Sequence, residues 1–242
     1  MKPSLESRVA IVTGGSRGIG FAAAAALLAR GASVAVTGTD AGRLDAAVRR
    51  LGASGAGDRV LGVRADVREL GDVESLMSQV VQRFGGLDIL VNNAGVGQFV
   101  PVAEMSTELW HRIIGTNLTG VFYCCRAAIP HLRRRGGGWI INVSSLASKN
   151  FSAGGGAYSA SKAGLNALTE SLMQEVRHDG IRVSCVLPGS VRTAFSPGGD
   201  GPGTDWKLAS EDVAQVIVDL IAHPARSLPS RVEIRPSQPP RK

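Results

Sequence analysis

Apolar residues along this chain fall into short runs separated by longer stretches in which they recur every three or four positions. The runs lie at about residues 8–12, 33–38, 59–63, 88–91, 138–143, 181–186 and 231–234. They are short and rich in Val and Ile, and Gly, Asn, Asp or Ser commonly flank them, so each reads as a strand. Between them, helical spacing predicts helices over about 18–30, 41–51, 69–84, 107–132, 157–178 and 210–222. Alternation of the two kinds implies parallel strands joined by helical crossovers. The expectation is an α/β fold with about seven mostly parallel strands. No internal repeat and no Pro- or Ser-rich linker interrupts the series. Residues 1–235 therefore read as one domain, followed by a Pro-rich, basic tail over 236–242 that is expected to be poorly ordered. Residues 196–204, dense in Gly and Pro, are expected to form a mobile loop.

Composition narrows the class. A chain of 242 residues is long enough for one large α/β domain with a substantial core. Its 44% hydrophobic and 19% charged residues place it among globular chains. No apolar stretch reaches membrane-spanning length, and the N-terminal residues run directly into the first strand. Neither a transmembrane helix nor a signal peptide is expected. Cys124, Cys125 and Cys185 show no metal-ligand spacing, and an odd count argues against a disulfide framework. The four histidines are scattered, so no metal site is expected. A reducing cytoplasm is the simplest setting. The net charge of +7 favours anionic partners such as a phosphorylated cofactor. Nucleic acid fits less well: basic residues are dispersed, aromatics make up 5%, and no recognition motif is present. The densest basic cluster, Arg133-Arg134-Arg135, precedes three glycines at a helix end. It reads as complementing the helix dipole; the alternative is docking of an acidic partner such as an acyl carrier protein.

Two motifs carry chemistry. Thr13-Gly14-Gly15-Ser16-Arg17-Gly18-Ile19-Gly20 sits between the first strand and the first helix. Glycines there allow a tight turn and close approach of backbone to a pyrophosphate, and the helix N-terminus offers N–H groups and a positive dipole end. The spacing is TGxxxGxG, so neither the long dehydrogenase fingerprint GxGxxG nor the nucleotide-triphosphate loop ending in Gly-Lys is matched. The second motif is Tyr158-Ser159-Ala160-Ser161-Lys162, with Ser145 upstream at the C-terminal end of the strand Trp139–Val143. Tyr and Lys four residues apart share one helix face. A free phenol has a pKa of about 10, and a nearby ammonium is expected to lower it toward usefulness as an acid or base.

With these motifs stand Asp88-Ile89-Leu90-Val91-Asn92-Asn93-Ala94-Gly95, Asn117, and Pro188-Gly189, in that order. Together they resemble the short-chain dehydrogenase/reductase family, and 3-oxoacyl reductases within it, over about residues 7–222. The resemblance implies a Rossmann-type doubly wound sheet of about seven mostly parallel strands, and NAD(P)-dependent hydride transfer between cofactor and a carbonyl or secondary alcohol. It implies a tetrad of Asn117, Ser145, Tyr158 and Lys162. Tyr158 would be the general acid/base and Ser145 would hold the reacting oxygen. Lys162 would lower the Tyr158 pKa and hold the nicotinamide ribose, and Asn117 would hold a water. Cofactor contacts would come from Gly14, Ser16, Arg17, Gly18, Ile19, Gly20, Thr39, Asp66, Val67, Asn93, Ala94, Gly95, Tyr158, Lys162, Pro188, Gly189, Val191 and Thr193. For Asp66, a cap on the next helix is the alternative.

The choice of cofactor turns on the end of the second strand, where NAD enzymes commonly place an acid. Here the strand ends Val36-Thr37-Gly38-Thr39, with Gly38 at that position. Asp40 follows, and an N-cap is its expected role. Arg17 is suited to a 2′-phosphate. The balance favours NADP, with NAD as the alternative. Gly97, Gln98, Phe99, Leu146, Phe151, Ser152 and Phe195 are expected around the substrate. They are mixed in polarity and offer no decisive selector. The substrate is expected to be a small carbonyl or alcohol compound, free or carried on an acyl carrier protein or coenzyme A. Two departures from the family stand out: a short Gly/Pro segment over 194–210 where a helical lid is usual, and Arg231–Pro236 in place of a glycine-rich ending. A homodimer or homotetramer is expected. A catalytically silent nicotinamide sensor is the competing reading, but it predicts a damaged tetrad, and all four members are present.

Overall fold

The computed structural model describes residues 4–53, 55–195 and 199–240. Residues 196–198 of the expected loop and 241–242 of the tail lie outside the described residues. Strands β1 (Val9–Val12), β2 (Ser33–Gly38), β3 (Val60–Arg64), β4 (Ile89–Asn92), β5 (Gly138–Val143), β6 (Ile181–Pro188) and β7 (Arg231–Ile234) form one sheet. Their order is β3-β2-β1-β4-β5-β6-β7, and every pairing is parallel. The chain winds one way from β1 to β3 and the other way from β4 to β7. The crevice at the C-terminal ends of β1 and β4 is where such sheets bind ligands.

Successive strand residues point to opposite faces, and this divides the core into two layers. Val12, Val36, Val91 and Ile141 pack with Leu27 of α1 (Gly18–Leu28), Leu44 of α2 (Ala41–Gly52) and Ile217 of α7 (Ser210–Ile221). Ile11, Ala35, Leu90 and Ile140 pack on the other side. Their partners include Leu76 of α3 (Leu70–Phe84), Leu132 of α5 (Gly120–Arg134) and Leu165 of α6 (Gly156–Val176). Each fully buried Leu or Ile contributes about 1.5–3 kcal/mol by leaving water.

At the N-terminal end of the sheet, fully buried Asp88 ties three segments together. Its carboxylate accepts from Arg8 at 2.8 Å, from Val9 N at 2.9 Å and from Arg135 at 3.1 Å. Those partners come from the approach to β1, β1 itself and the end of α5.

The helix expected over 107–132 is two helices. α4 (Thr107–Ile114) passes through a wider π turn, Gly115–Thr119, into α5. The physical reason lies in Asn117 and Gly120. The Asn117 side chain bonds to a neighbouring loop, and a Cβ on Gly120 would lie 2.8 Å from a Val67 methyl and 2.9 Å from its carbonyl oxygen. β6 also extends beyond the expected residue 186, because Cys185–Pro188 pair with Arg231–Ile234.

Candidate active site

The glycine loop is locked to the end of β4. Thr13 Oγ1 accepts from the backbone N–H groups of Asn93 and Ala94, each at 3.0 Å. Asn93 Nδ2 donates to the carbonyls of Thr13 (3.0 Å) and Gly14 (3.1 Å). Gly14 has φ +63°, and a Cβ there would sit 2.9 Å from Ala94 Cα. At Gly20 it would sit 2.4 Å from the Gly14 oxygen and 2.4 Å from Asn93 Nδ2. Side chains at these positions would break the cradle. Exposed Arg17 occupies the N-cap of α1 in an extended conformation and makes no side-chain cap bond. The first-turn N–H groups of α1 are thus left to a ligand, which suits an anion. Ile19, half-buried, follows within that first turn. Thr193 lies across the loop, with its methyl 3.2 Å from the Cβ position of Gly18.

The end of β2 holds no uncommitted acid. Asp40 caps α2, accepting from Arg43 N at 2.8 Å, and pairs with the Arg43 guanidinium at 3.1 Å. The capping bond from the Arg43 N–H is the chief reason its carboxyl is held below the usual range. Ser16 lies against Gly38, its Oγ 3.4 Å from the Cβ position there. Exposed Thr39 accepts through its carbonyl from Arg64 Nε at 3.3 Å. Arg64 therefore stands beside Thr39 and Arg43 beside Asp40, and sequence reasoning passed over both. The signal for Arg43 was its place three residues after a capping Asp; β3 pairing carried the signal for Arg64.

Lys162 and Tyr158 come from α6, and Ser145 from the turn that follows β5. Lys162 is fully buried and donates to the Val143 carbonyl at 2.8 Å. Burial pushes its ammonium down to about 8. Its Nζ lies 5.9 Å from the centroid of the Tyr158 ring. Burial also raises the Tyr158 phenol, while a hydrogen bond with Ser145 works the other way. The net shift is upward, opposite to the lowering expected from Lys162: desolvation of the ring is the larger effect and Ser145 opposes it. Ser145 is held by its own turn, where its Oγ accepts from Ala147 N at 3.1 Å.

Asn117 faces this group from the π turn. Its Oδ1 accepts from Val96 N at 2.8 Å, and its Nδ2 donates to Val96 O (2.8 Å) and Ser161 Oγ (3.0 Å). Both amide hydrogens are used, so the side chain acts as a clamp on the loop after β4. Ser161 passes the contact on, donating to the Tyr158 carbonyl at 2.7 Å. Gly95 lies between the clamp and the lysine: a Cβ there would be 3.4 Å from Asn117 Oδ1 and 3.8 Å from Lys162 Nζ.

The remaining predicted residues are spread around this centre. Gly189 packs on Leu146 (3.2 Å from its Cβ position) and bonds to Ile234 O at 2.8 Å, just after Pro188 ends β6. Val191 pairs with Leu208 in an isolated bridge. Asp66 does not cap α3, whose N-cap is Glu69; its carboxylate accepts from Arg68 N at 3.0 Å and pairs with the Arg68 guanidinium. Val67 is buried beneath Gly120. The Arg133–Arg135 cluster stays at the surface, and each of its members has a partner. Arg133 pairs with Asp179, Arg134 contacts His131, and Arg135 pairs with Asp88. Among the described residues there is no cluster of three or more His, Cys, Asp or Glu able to hold a metal, and no helix long and apolar enough to cross a membrane.

A profile of the family described as short chain dehydrogenase matches residues 8–198. The chain is 39% identical over 189 residues to the 3alpha-hydroxysteroid dehydrogenase of Mediterraneibacter gnavus, covering 78% of this chain and 76% of that one. It is 39% identical over 229 residues to the 3-oxoacyl-(acyl-carrier-protein) reductase FabG of Chlamydia pneumoniae, covering 91% and 92%. Among solved structures, a metagenomic short-chain oxidoreductase in complex with NADP superimposes with a TM-score of 0.85 at 37% identity, covering 98% of this chain and all of that one.

Proposed function

The chain belongs to the short-chain dehydrogenase family and is an oxidoreductase acting on hydroxyl or carbonyl groups; from that premise we propose that it reduces a ketone with NADPH, using Tyr158 as general acid. One observation carries the reading: Ser145, Tyr158 and Lys162 converge beside the glycine loop at the C-terminal rim of the sheet.

The residues suit a dinucleotide. Gly14, Gly18 and Gly20 form a cradle that side chains would fill, and the uncapped start of α1 offers N–H groups to a pyrophosphate. Arg17, Arg43 and Ser16 are the groups to hold a 2′-phosphate. Asp40 is committed to its cap and to Arg43, so it is poorly placed to select a ribose hydroxyl. The NADP-bound relative supports the same choice. The hydride comes from the nicotinamide when it is bound. Everything else falls to the protein. Tyr158 Oη gives its proton to the carbonyl oxygen, and the Ser145 hydroxyl donates a hydrogen bond to that oxygen and fixes its position. In the reverse direction Tyr158 takes the proton back. The Lys162 ammonium favours the phenolate that forms. Asn117 holds the Gly95–Val96 backbone against which the cofactor would lie.

The names of the relatives span a steroid alcohol and an acyl thioester, and both substrate classes are candidates. Arg133 and Arg135 already pair with Asp179 and Asp88, which weakens the case for an acyl carrier protein docking there. The test is the decay of NADPH absorbance, with NADH in parallel, over a panel of ketones that includes acetoacetyl-coenzyme A. Turnover preferring NADPH is expected. Cofactor binding with no turnover on any ketone would sink the reading.

A further inference from the structure

Two phenylalanine rings pack against the ring of Tyr158. The Phe195 ring centroid lies 5.8 Å from that of Tyr158 with the planes at 54°. Phe99 lies 6.1 Å away on its own contact with Tyr158, at 52°. Tilted rings at these separations attract one another. Phe195 reaches this position because of Gly97. A Cβ on Gly97 would fall 2.6 Å from Phe195 Cε1 and 2.8 Å from Cζ, so the ring occupies the space a side chain would need. Phe99 is backed by the loop before α6. Val100 N bonds to Gly154 O at 2.9 Å, and Phe99 Cε1 lies 3.4 Å from the Cβ position of Gly155.

Both phenylalanines are anchored yet open: Phe99 is 53% exposed and Phe195 40%. Large apolar faces left in water beside a polar reacting atom reward a ligand that covers them. We infer that Phe195, seated in the gap left by Gly97, and Phe99 form a two-walled aromatic slot over Tyr158 that selects a rigid, apolar ring ketone. Two inclined walls fit a flat or fused alicyclic ring whose carbonyl projects between Tyr158 and Ser145. Such a ring covers both faces while losing little internal freedom. A linear acyl chain on a polar carrier loses rotamer freedom and covers less of either wall. The inference rests on the oxidoreductase reading above and decides between its two substrate classes.

The experiment compares kcat/KM for 2-decalone, a fused bicyclic ketone, with that for acetoacetyl-coenzyme A, both with NADPH. It uses the wild type, Phe195→Ala, Gly97→Ala and the double variant. Binding of NADPH, titrated by fluorescence in each protein, reports that the cofactor site is intact. The wild type is expected to prefer 2-decalone. Phe195→Ala should lower that preference about ten- to a hundredfold, the usual range for apolar discrimination in a pocket. Gly97→Ala should lower it similarly by unseating the ring, and should add nothing in the Phe195→Ala background. Wild-type preference for the thioester, equal loss on both substrates, or fully additive effects would each overturn the slot while leaving the oxidoreductase reading standing. No turnover of any ketone by NADPH-bound wild type would overturn both.

Discussion

At Lys162 two demands meet. In the proposed mechanism the ammonium supports the chemistry of Tyr158, yet full burial disfavours its charge and pushes it down from 10.5 to about 8. The unfolded chain keeps its proton to higher pH, so between about 8 and 10.5 the native state binds fewer protons and stability rises with pH. The cost of the buried charge, about 3 kcal/mol at ~1.4 kcal/mol per pH unit, is thus full below pH 8 and gone above 10.5. Lys162→Met never carries it. The stability difference between this variant and the wild type, from urea unfolding, is expected to shift by about 3 kcal/mol toward the wild type between pH 7 and pH 10.5. A difference that stays flat across that range would mean the ammonium is solvated. For Tyr158→Phe the expectation is loss of turnover by at least about a thousandfold, with NADPH affinity within a few-fold, because the ring still packs and only the proton is missing. Stopped-flow reduction and a binding titration separate the two. The spacing of Tyr158 and Lys162 made both legible from the chain, because one helix turn fixes it. The Phe195–Gly97 contact was not legible, since nothing local links residues so far apart in sequence.

The π turn between α4 and α5 shows what element-level patterning misses. Apolar periodicity ran through residues 107–132 without a break, because a five-residue turn changes the helical phase only slightly. What opens the turn is tertiary: the Asn117 clamp on Val96 and the contact of Gly120 with Val67. Asn117→Ala would leave the Val96 N–H and carbonyl without their partners. The expected cost is about 2–4 kcal/mol in chemical denaturation, with at least a tenfold fall in kcat as the Gly95 backbone loses its support. Unchanged stability would show that the turn is held by packing alone. Asp66 makes the same point at smaller range. Its position before a helix fits a cap, but Arg68 captures the carboxylate and Glu69 takes the cap position. Strand ends were legible to within a residue. The exception is the end of β6, which its partner β7 prolongs.

For the molecule as a whole, the seven-stranded parallel sheet followed from alternation alone, since buried strands and amphipathic helices in strict turn leave few other arrangements. Strand order did not follow, because it depends on which edge each crossover takes. The cradle spans β1, β2, β4 and α1, so a bound dinucleotide would brace most of the fold. At a concentration of 100 Kd, NADPH is expected to stabilise the native state by about 2.7 kcal/mol. For a chain of this length that raises Tm by about 5–10 °C. Thermal unfolding should show the full shift with NADPH, a smaller one with NADH at the same concentration, and none in Gly20→Ala. Equal shifts from the two cofactors would argue against selection by Arg17 and Arg43.

Asp88 and its two arginines stand at the opposite end of the strands from Tyr158. Parallel strands give the sheet a polarity, and that polarity separates two ways of failing. Damage around Asp88 loosens the join between β1, β4 and α5 and removes protein from the soluble pool. Damage at Tyr158 or Ser145 that spares the Asn117 clamp is expected to leave a folded chain that still captures nucleotide but converts nothing. A library of random variants sorted first for soluble yield and then for turnover should therefore divide into two sets, each mapping to its own rim of the sheet.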